Sequence, residues 1–264
     1  MPVSELQSIE IWRMAASYFF LVLVLLMSHF LKLGRGNEFW VSALRMTIQL
    51  VLAGYLLDLV FRQQHVLVSL LVLFAMQGFA LVTIYGRLKG KIGHRLKNML
   101  APALFVGTTL PLAYFMIVVI AADPWYAPRY FIPIAGMTVG NSMTGITLGT
   151  ERLAQAFCSG RARIEESLML GASPRAAAGN YLSDAFNAAV IPTVNSMLGM
   201  GIIFLPGMMT GQILAGVSPL DSIKYQIVIM MCILGSVGLT VYLIIQLGFR
   251  SFFNDRAQLL EEAD

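Results

Sequence analysis

The sequence predicts an all-α, polytopic integral membrane protein, and three observations carry that prediction. Its 264 residues are 58% hydrophobic and 12% charged, with a mean hydropathy of +0.75, which is more apolar surface than one soluble core can bury. Several windows reach the ~20 apolar residues that a helix needs to cross a hydrocarbon core about 30 Å thick. Those windows are continuously apolar and do not alternate, which argues against barrel strands, and a helix satisfies every backbone N–H and C=O where water is absent. Residues 1–264 read as a single transmembrane domain.

About seven spans follow in order: 15–31, 41–60, 66–85, 99–121, 130–148, 185–204 and 225–247. The first is preceded by Glu5 and Glu10, where a secretory leader would carry basic residues, so it is expected to be retained. The run 205–220, LPGMMTGQILAGVSPL, is short and broken by Pro206, Gly207, Gly211, Gly216 and Pro219, and is open to a re-entrant, an interfacial or a fully crossing path. With seven spans, the loops after spans one, three, five and seven, together with the residues flanking them, hold fourteen of the eighteen Lys and Arg residues. Arg13, Arg62, Arg129 and Lys224 fall on the other side. That asymmetry places the N-terminus outside and the C-terminus in the cytoplasm, in the inner membrane. The net charge of +4 is then a signal of topology and not a nucleic-acid footprint. Cys158 falls in a cytoplasmic loop and Cys232 inside a span, so no disulfide is expected.

Enzyme chemistry finds little support. Of three histidines, His29 ends the first span, and His65 and His94 fall in connections on opposite sides. There is no HExxH, and no histidine lies in the later spans to serve Ser142 or Ser196 as a base. Asp58 and Asp184 sit near span ends, too far out for a mid-membrane aspartyl pair. Residues 86–91, GRLKGK, lack the spacing of a phosphate loop and follow no strand, so no nucleotide cofactor is expected in this chain.

The most distinctive stretch is 165–178, EESLMLGASPRAAA, within a cytoplasmic segment of about 151–184 between spans five and six. It reads as helix, turn, helix. Gly171 suits a left-handed helix terminus, Ser173 an N-cap, and Pro174 the first helical position, where no N–H is needed. Leu168, Met169 and Leu170 offer apolar contacts, and Glu165 and Glu166 offer carboxylates to a partner groove; an ordinary solvated linker is the plainer reading of the same composition. The segment resembles the EAA loop of ABC-transporter permeases, in which Glu-Ala-Ala, three residues and a Gly form the coupling helix that docks on the ATPase. Here Glu165-Glu166-Ser167 precedes Leu168-Met169-Leu170 and Gly171, followed by Ala172-Ser173-Pro174. The Ile-x-Leu-Pro of that loop is absent, and Ile191-Pro192 is its nearest echo.

Over almost its whole length the chain resembles FetB-type permeases, a family linked to iron export in bacteria and to aluminium tolerance in plants. The residues that carry the resemblance are Arg45, Ile48-Gln49-Leu50 and Gly54-Tyr55; residues 132–137 with Gly140-Asn141-Ser142-Met143; and 191–194, 205–211, 215–216 and 223–226. The resemblance implies a half-transporter. Two copies would pair with two copies of a separate ATPase, which would bind the ATP and Mg, and rigid-body rocking of the helices would export iron or another metal ion. Nothing in the spans forms a recognisable metal-ligand set, so an organic solute such as a nucleotide sugar stays open. An ion-driven secondary transporter is the rival from another class, and it would need mid-membrane ionisable residues.

Polar groups within spans are costly unless they face a cavity or a neighbouring helix, which makes them the natural candidates for a translocation path. The candidates are Gln49, Thr138, Asn141, Ser142, Met143, Asn195 and Ser196. Small hydroxyls more often serve helix packing. Asn141 and Asn195 are the better candidates, because a carboxamide has both donors and an acceptor to satisfy. Gly136, Gly140 and Gly145 are expected to permit close helix approach, and Pro133 and Pro192 to kink their helices. The sixteen methionines are read mainly as flexible packing, since thioethers suit Cu(I) better than iron.

Overall fold

The computed structural model describes residues 9–32, 36–62, 65–254 and 256–260; Glu5, and Arg35 among the fourteen basic residues counted above, lie outside them. Among the described residues the regular structure is helical, with only isolated bridges between Met200 and Phe204 and between Phe253 and Leu259. In order the helices are α1 (Ile11–Ser17), α2 (Phe19–Phe30), α3 (Gly36–Arg62), α4 (Val66–Arg87), α5 (His94–Tyr114), α6 (Pro128–Ser159), α7 (Arg161–Met169), α8 (Pro174–Gly199), α9 (Gly207–Leu214) and α10 (Pro219–Gly248). A π-helical turn, Phe115–Val119, prolongs α5, and a 3-10 turn, Phe249–Phe252, ends α10.

Five of these stretches are long and apolar enough to cross a membrane: Ile11–Phe30, Gly36–Arg62, Val66–Arg87, His94–Val119 and Pro219–Phe252. The spans expected at 130–148 and 185–204 are not among them, although α6 and α8 run for 32 and 26 residues, roughly 48 and 39 Å at 1.5 Å per residue. Length is not what they lack. Asn141, Thr144, Glu151 and Arg152 on α6, and Asn180, Asp184, Asn187 and Asn195 on α8, dilute their apolarity. α8 also stops at Gly199, short of residue 204, because the chain turns through Met200–Phe204 with Gly201 at φ +84°. Within 205–220 the only helix up to the start of α10 is the eight-residue α9, which rises about 12 Å and is too short to cross alone.

The chain divides into two compact units. The first comprises residues up to Gln64, with Leu214–Gly216. In it α2 packs on α3, Gly36 lies against Leu25, and the Tyr18 and Thr47 hydroxyls share a hydrogen bond. Most of its large apolar side chains are exposed, Phe20 and Leu50 among them.

The second unit holds α4 to α10 apart from the end of α9 and the residues just after it. Its centre is α10, packed on α5, α6 and α8, while α6 also packs on α8, α4 and α5. Close approach is built from missing side chains. A Cβ on Gly107 would lie 2.6 Å from the Thr240 Cα and 2.8 Å from its backbone N, and one on Gly145 would lie 2.8 Å from Val237 Cγ1. Gly149 is wedged between Ala189 and Val241. Of the glycines expected at helix contacts Gly145 is one, whereas Gly140 has open space beside it.

Hydroxyls at these contacts bond locally and across helices. Ser142 Oγ donates to Ser236 Oγ at 3.2 Å, and Ser236 Oγ donates to the Gly107 carbonyl at 2.8 Å. Gln77 Nε2 ties α4 to α5 through Thr108 and Thr109 at 2.8 and 3.0 Å. Such bonds suit an apolar setting, where an unpaired donor has no water to turn to.

Candidate functional site

The segment between α6 and α8 folds as its residues dictate. At the end of α7 the Ala172 N–H bonds the Ser167 carbonyl at 3.0 Å and the Gly171 N–H bonds the Leu168 carbonyl at 3.0 Å, with Gly171 at φ +90°. This is a Schellman turn, and glycine supplies its left-handed residue without strain. Two residues later Ser173 Oγ accepts from the Ala176 N–H at 3.3 Å, and Pro174 opens α8. The knob is therefore rigid at both ends.

Of the three apolar residues picked out in the sequence, two form its exposed apex. Leu168 is half-buried, whereas Met169 is 85% and Leu170 90% exposed, and Ile164 is fully buried on the inner face of α7. Spacing explains the difference: an isolated apolar trio gives no clue which member points outward until the buried face of the helix is known. Glu166 is exposed, but Glu165 is not the free carboxylate expected, since it pairs with Arg161 Nε at 2.9 Å. Arg161 also donates to the Leu260 carbonyl at 3.1 Å, so α7 is tied to the C-terminal segment. Beside it Phe157 stacks on Phe252 with ring centroids 4.3 Å apart.

Around this tie the α4–α5 connection, the end of α6 and the C-terminal segment meet, lining a cavity of about 480 Å³ with Lys91, Cys158, Arg161, Phe252 and Leu260. Lys91 reaches Glu151 at 2.5 Å. Three connections rich in basic residues thus gather at one end of the second unit. The opposite end is marked by Ser69 Oγ donating to the Tyr126 carbonyl at 2.9 Å and by Tyr130 stacked on Tyr225.

The candidate path residues separate onto different faces. Thr138 and Ser142 are buried against α10, with Thr138 Oγ1 bonded to the Ile134 carbonyl at 2.7 Å, so they are packing groups. Met143 lies nine residues before Arg152, two and a half turns, on the far side of α6 from it. Ser196 is half-buried and bonds the Pro192 carbonyl, and Gln49 is exposed in the first unit. Asn141 and Asn195 are exposed.

A groove of about 440 Å³ runs between α6 and α8, with Arg152 and Gln155 on one wall and Tyr181 and Asp184 on the other. Asn141 stands eleven residues before Arg152 and Asn195 eleven after Asp184. Eleven residues are three helical turns, so each asparagine continues the groove-facing stripe of its own helix. Among the described residues no group of three His, Cys, Asp or Glu side chains could hold a metal ion.

The family model described as "Uncharacterised protein family (UPF0014)" matches residues 11–253. The chain belongs to the UPF0014 family. It is 38% identical over 225 residues to the UPF0014 membrane protein slr1647 of Synechocystis, covering 85% of this chain and 86% of that one. It is 32% identical over 247 residues to the "Probable iron export permease protein FetB" of Escherichia coli K12, covering 94% and 93%. Against the Arabidopsis thaliana protein ALUMINUM SENSITIVE 3 it is 30% identical over 248 residues, covering 93% and 88%. No solved structure matches. The FetB-type resemblance read from residues such as 140–143 and 205–211 is thereby established, and the chain is a UPF0014 membrane protein with several apolar helices.

Proposed function

We propose that this UPF0014 protein is the permease subunit of an ABC transporter that exports iron or another metal ion across the cytoplasmic membrane, driven by ATP hydrolysed with Mg in a separate subunit. The observation that carries the proposal is the knob at 161–178. A Schellman turn and a capped helix start hold two exposed apolar residues, Met169 and Leu170, at the apex of a rigid connection. An apolar tip on a stiff support suits insertion into a groove on a partner that moves, and a flexible tether would dissipate the motion. Iron enters through the 32%-identical Escherichia coli relative, whose name specifies iron export.

In this reading α6 and α8 also cross the bilayer, which brings the spans to seven. Their lower apolarity reflects the polar stripe through Asn141 and Asn195, which faces the path of the transported species. The basic end of the second unit, with α7, lies in the cytoplasm, so the N-terminus is outside and α9 sits within the outer half as a re-entrant element. Two copies pair around the path. The permease itself is not an enzyme.

The test is co-expression with a lone nucleotide-binding subunit from the same gene neighbourhood, followed by ATPase and flux measurements in vesicles holding both. Stimulation by Fe, Mn, Co, Ni, Cu or Zn is the expected result. No response to any of them would turn the cargo reading to an organic solute, and failure of the two subunits to co-purify would sink the ABC reading. Glu165→Arg, Gly171→Arg and Leu168→Asp should each uncouple the pair while the protein still inserts.

A further inference from the structure

We infer that the groove between α6 and α8 is the surface on which two copies of this chain meet, with Arg152 of one copy facing Asp184 of the other. This inference rests on the two-copy reading above and assigns it a surface. Arg152 and Asp184 stand on opposite walls of one groove, both exposed. They do not pair with each other. Among the described residues the Arg152 guanidinium reaches only the Gln155 amide oxygen, at 3.5 Å, and Asp184 has no ion pair.

An exposed cation and anion, laterally offset on one face, form a self-complementary patch. Under a two-fold axis, residue i of one copy meets residue j of the other and j meets i, so the pair is satisfied twice by a second copy in a single arrangement. At the margin of a bilayer two unneutralised charges are costly, which favours an occupant that supplies both counter-charges. The floor of the groove is small: Ala156 on α6, with Ala185 and Ala188 on α8. Small side chains let helices from another chain approach closely.

The stripe continues the same logic inward. Three turns from the charges stand Asn141 and Asn195, whose carboxamides both donate and accept and can therefore meet their own symmetry mates. The charged pairs would close the inner mouth of a path whose walls, higher up, carry the asparagines. Gln155 and Tyr181, on the same walls, supply hydrogen-bonding groups at the rim.

The experiment uses full-length chains carrying two different tags. Arg152→Asp alone and Asp184→Arg alone should each lower co-purification of the two tags at least fivefold, because both pairs at the interface become repulsive. When Arg152→Asp chains are co-expressed with Asp184→Arg chains, the two altered side chains meet as an inverted pair and the two unaltered ones as the native pair, and recovery to within twofold of wild type is expected. An intrachain pair cannot give that recovery.

A measurement independent of charge reversal uses a Cys158→Ser background. There, chains carrying only Arg152→Cys, mixed with chains carrying only Asp184→Cys, should form a cross-linked dimer with a short bifunctional maleimide. Single variants that associate like wild type, or mixed chains that neither recover nor cross-link, would overturn the interface. ATPase co-purification, scored in the same samples, separates the two readings: the interface fails alone if the ATPase still binds, and the transporter reading fails if wild-type chains associate with each other but not with the ATPase.

Discussion

The two faces of α6 are alike in composition and opposite in circumstance. One face carries Thr138, Ser142, Gly145 and Gly149, all buried, and is sealed against α10 and α8 by close contacts and a hydroxyl relay to the Gly107 carbonyl. The other carries Gly140, Asn141, Thr144 and Arg152, all exposed. Ser142 and Asn141 are neighbours in sequence, yet the helix turns them about 100° apart, which is enough to bury one and leave the other exposed. Polarity within a long helix is therefore not by itself evidence of a path. The difference lies in whether a neighbouring helix consumes the hydrogen bond.

The most damaging change should come at the sealed interface. Gly107→Val places a branched side chain where even a Cβ would meet the Thr240 backbone at 2.6 Å, and backbone cannot yield as a flexible side chain can. Overpacking of this kind costs on the order of 3 kcal/mol. The expected result is loss of the monodisperse peak in detergent and a fall in thermal midpoint. Gly140→Ala, on the open face, should leave both unchanged. Equal damage from the two would erase the distinction between the faces.

A smaller effect on folding, but a large one on assembly, is expected at the exposed knob. Leu170→Asp adds a charge to a side chain already 90% exposed, so the permease should insert and melt like wild type. In the proposed ABC reading, its recovery with the ATPase should drop at least tenfold. Ile164→Asp, fully buried in the same short helix, should instead destabilise the permease itself. Similar behaviour of the two variants would show that the tip is part of the fold and not a docking element.

Much of this was legible in the residues, and the reasons differ from place to place. Helix existence followed from apolar length, so α3, α4, α5 and α10 lie where 41–60, 66–85, 99–121 and 225–247 were expected, although α6 runs eleven residues past 148. Local rules also worked well at the knob: a glycine, a serine and a proline in that order specify a left-handed terminus, a cap and a helix start through near-neighbour contacts alone. What the sequence could not disclose was anything set by a distant partner. Glu165 is committed to Arg161, and Arg161 to Leu260, through a fold-back of the C-terminal segment that no short-range pattern announces. Thr138 and Ser142 were grouped with Asn141 because composition alone cannot report which helix lies behind a given face. The eleven-residue intervals from Asn141 to Arg152 and from Asp184 to Asn195 were readable, but only the packing of α6 on α8 brings Arg152 and Asp184 to the walls of one groove.

The sharpest comparison pairs adjacent residues. Asn141→Leu removes a side chain whose Nδ2 bonds only the Met137 carbonyl of its own helix, at 2.8 Å, so melting should be unaffected while transport falls at least tenfold. Ser142→Ala should do the reverse. It deletes a donor to Ser236 Oγ, yet Ser236 keeps its own bond to the Gly107 carbonyl, so no buried donor is left stranded and the loss is about 0.6 kcal/mol, the average for such bonds in membranes. Transport should stay within twofold of wild type. Thermal midpoint and flux measured on the same two preparations decide the matter, because a path that ran along the α10-facing side would exchange the two outcomes. If Ser142→Ala abolished flux without loss of stability, the conduit would lie inside the helix bundle of one chain, and the groove between α6 and α8 would be left to lipid or packing.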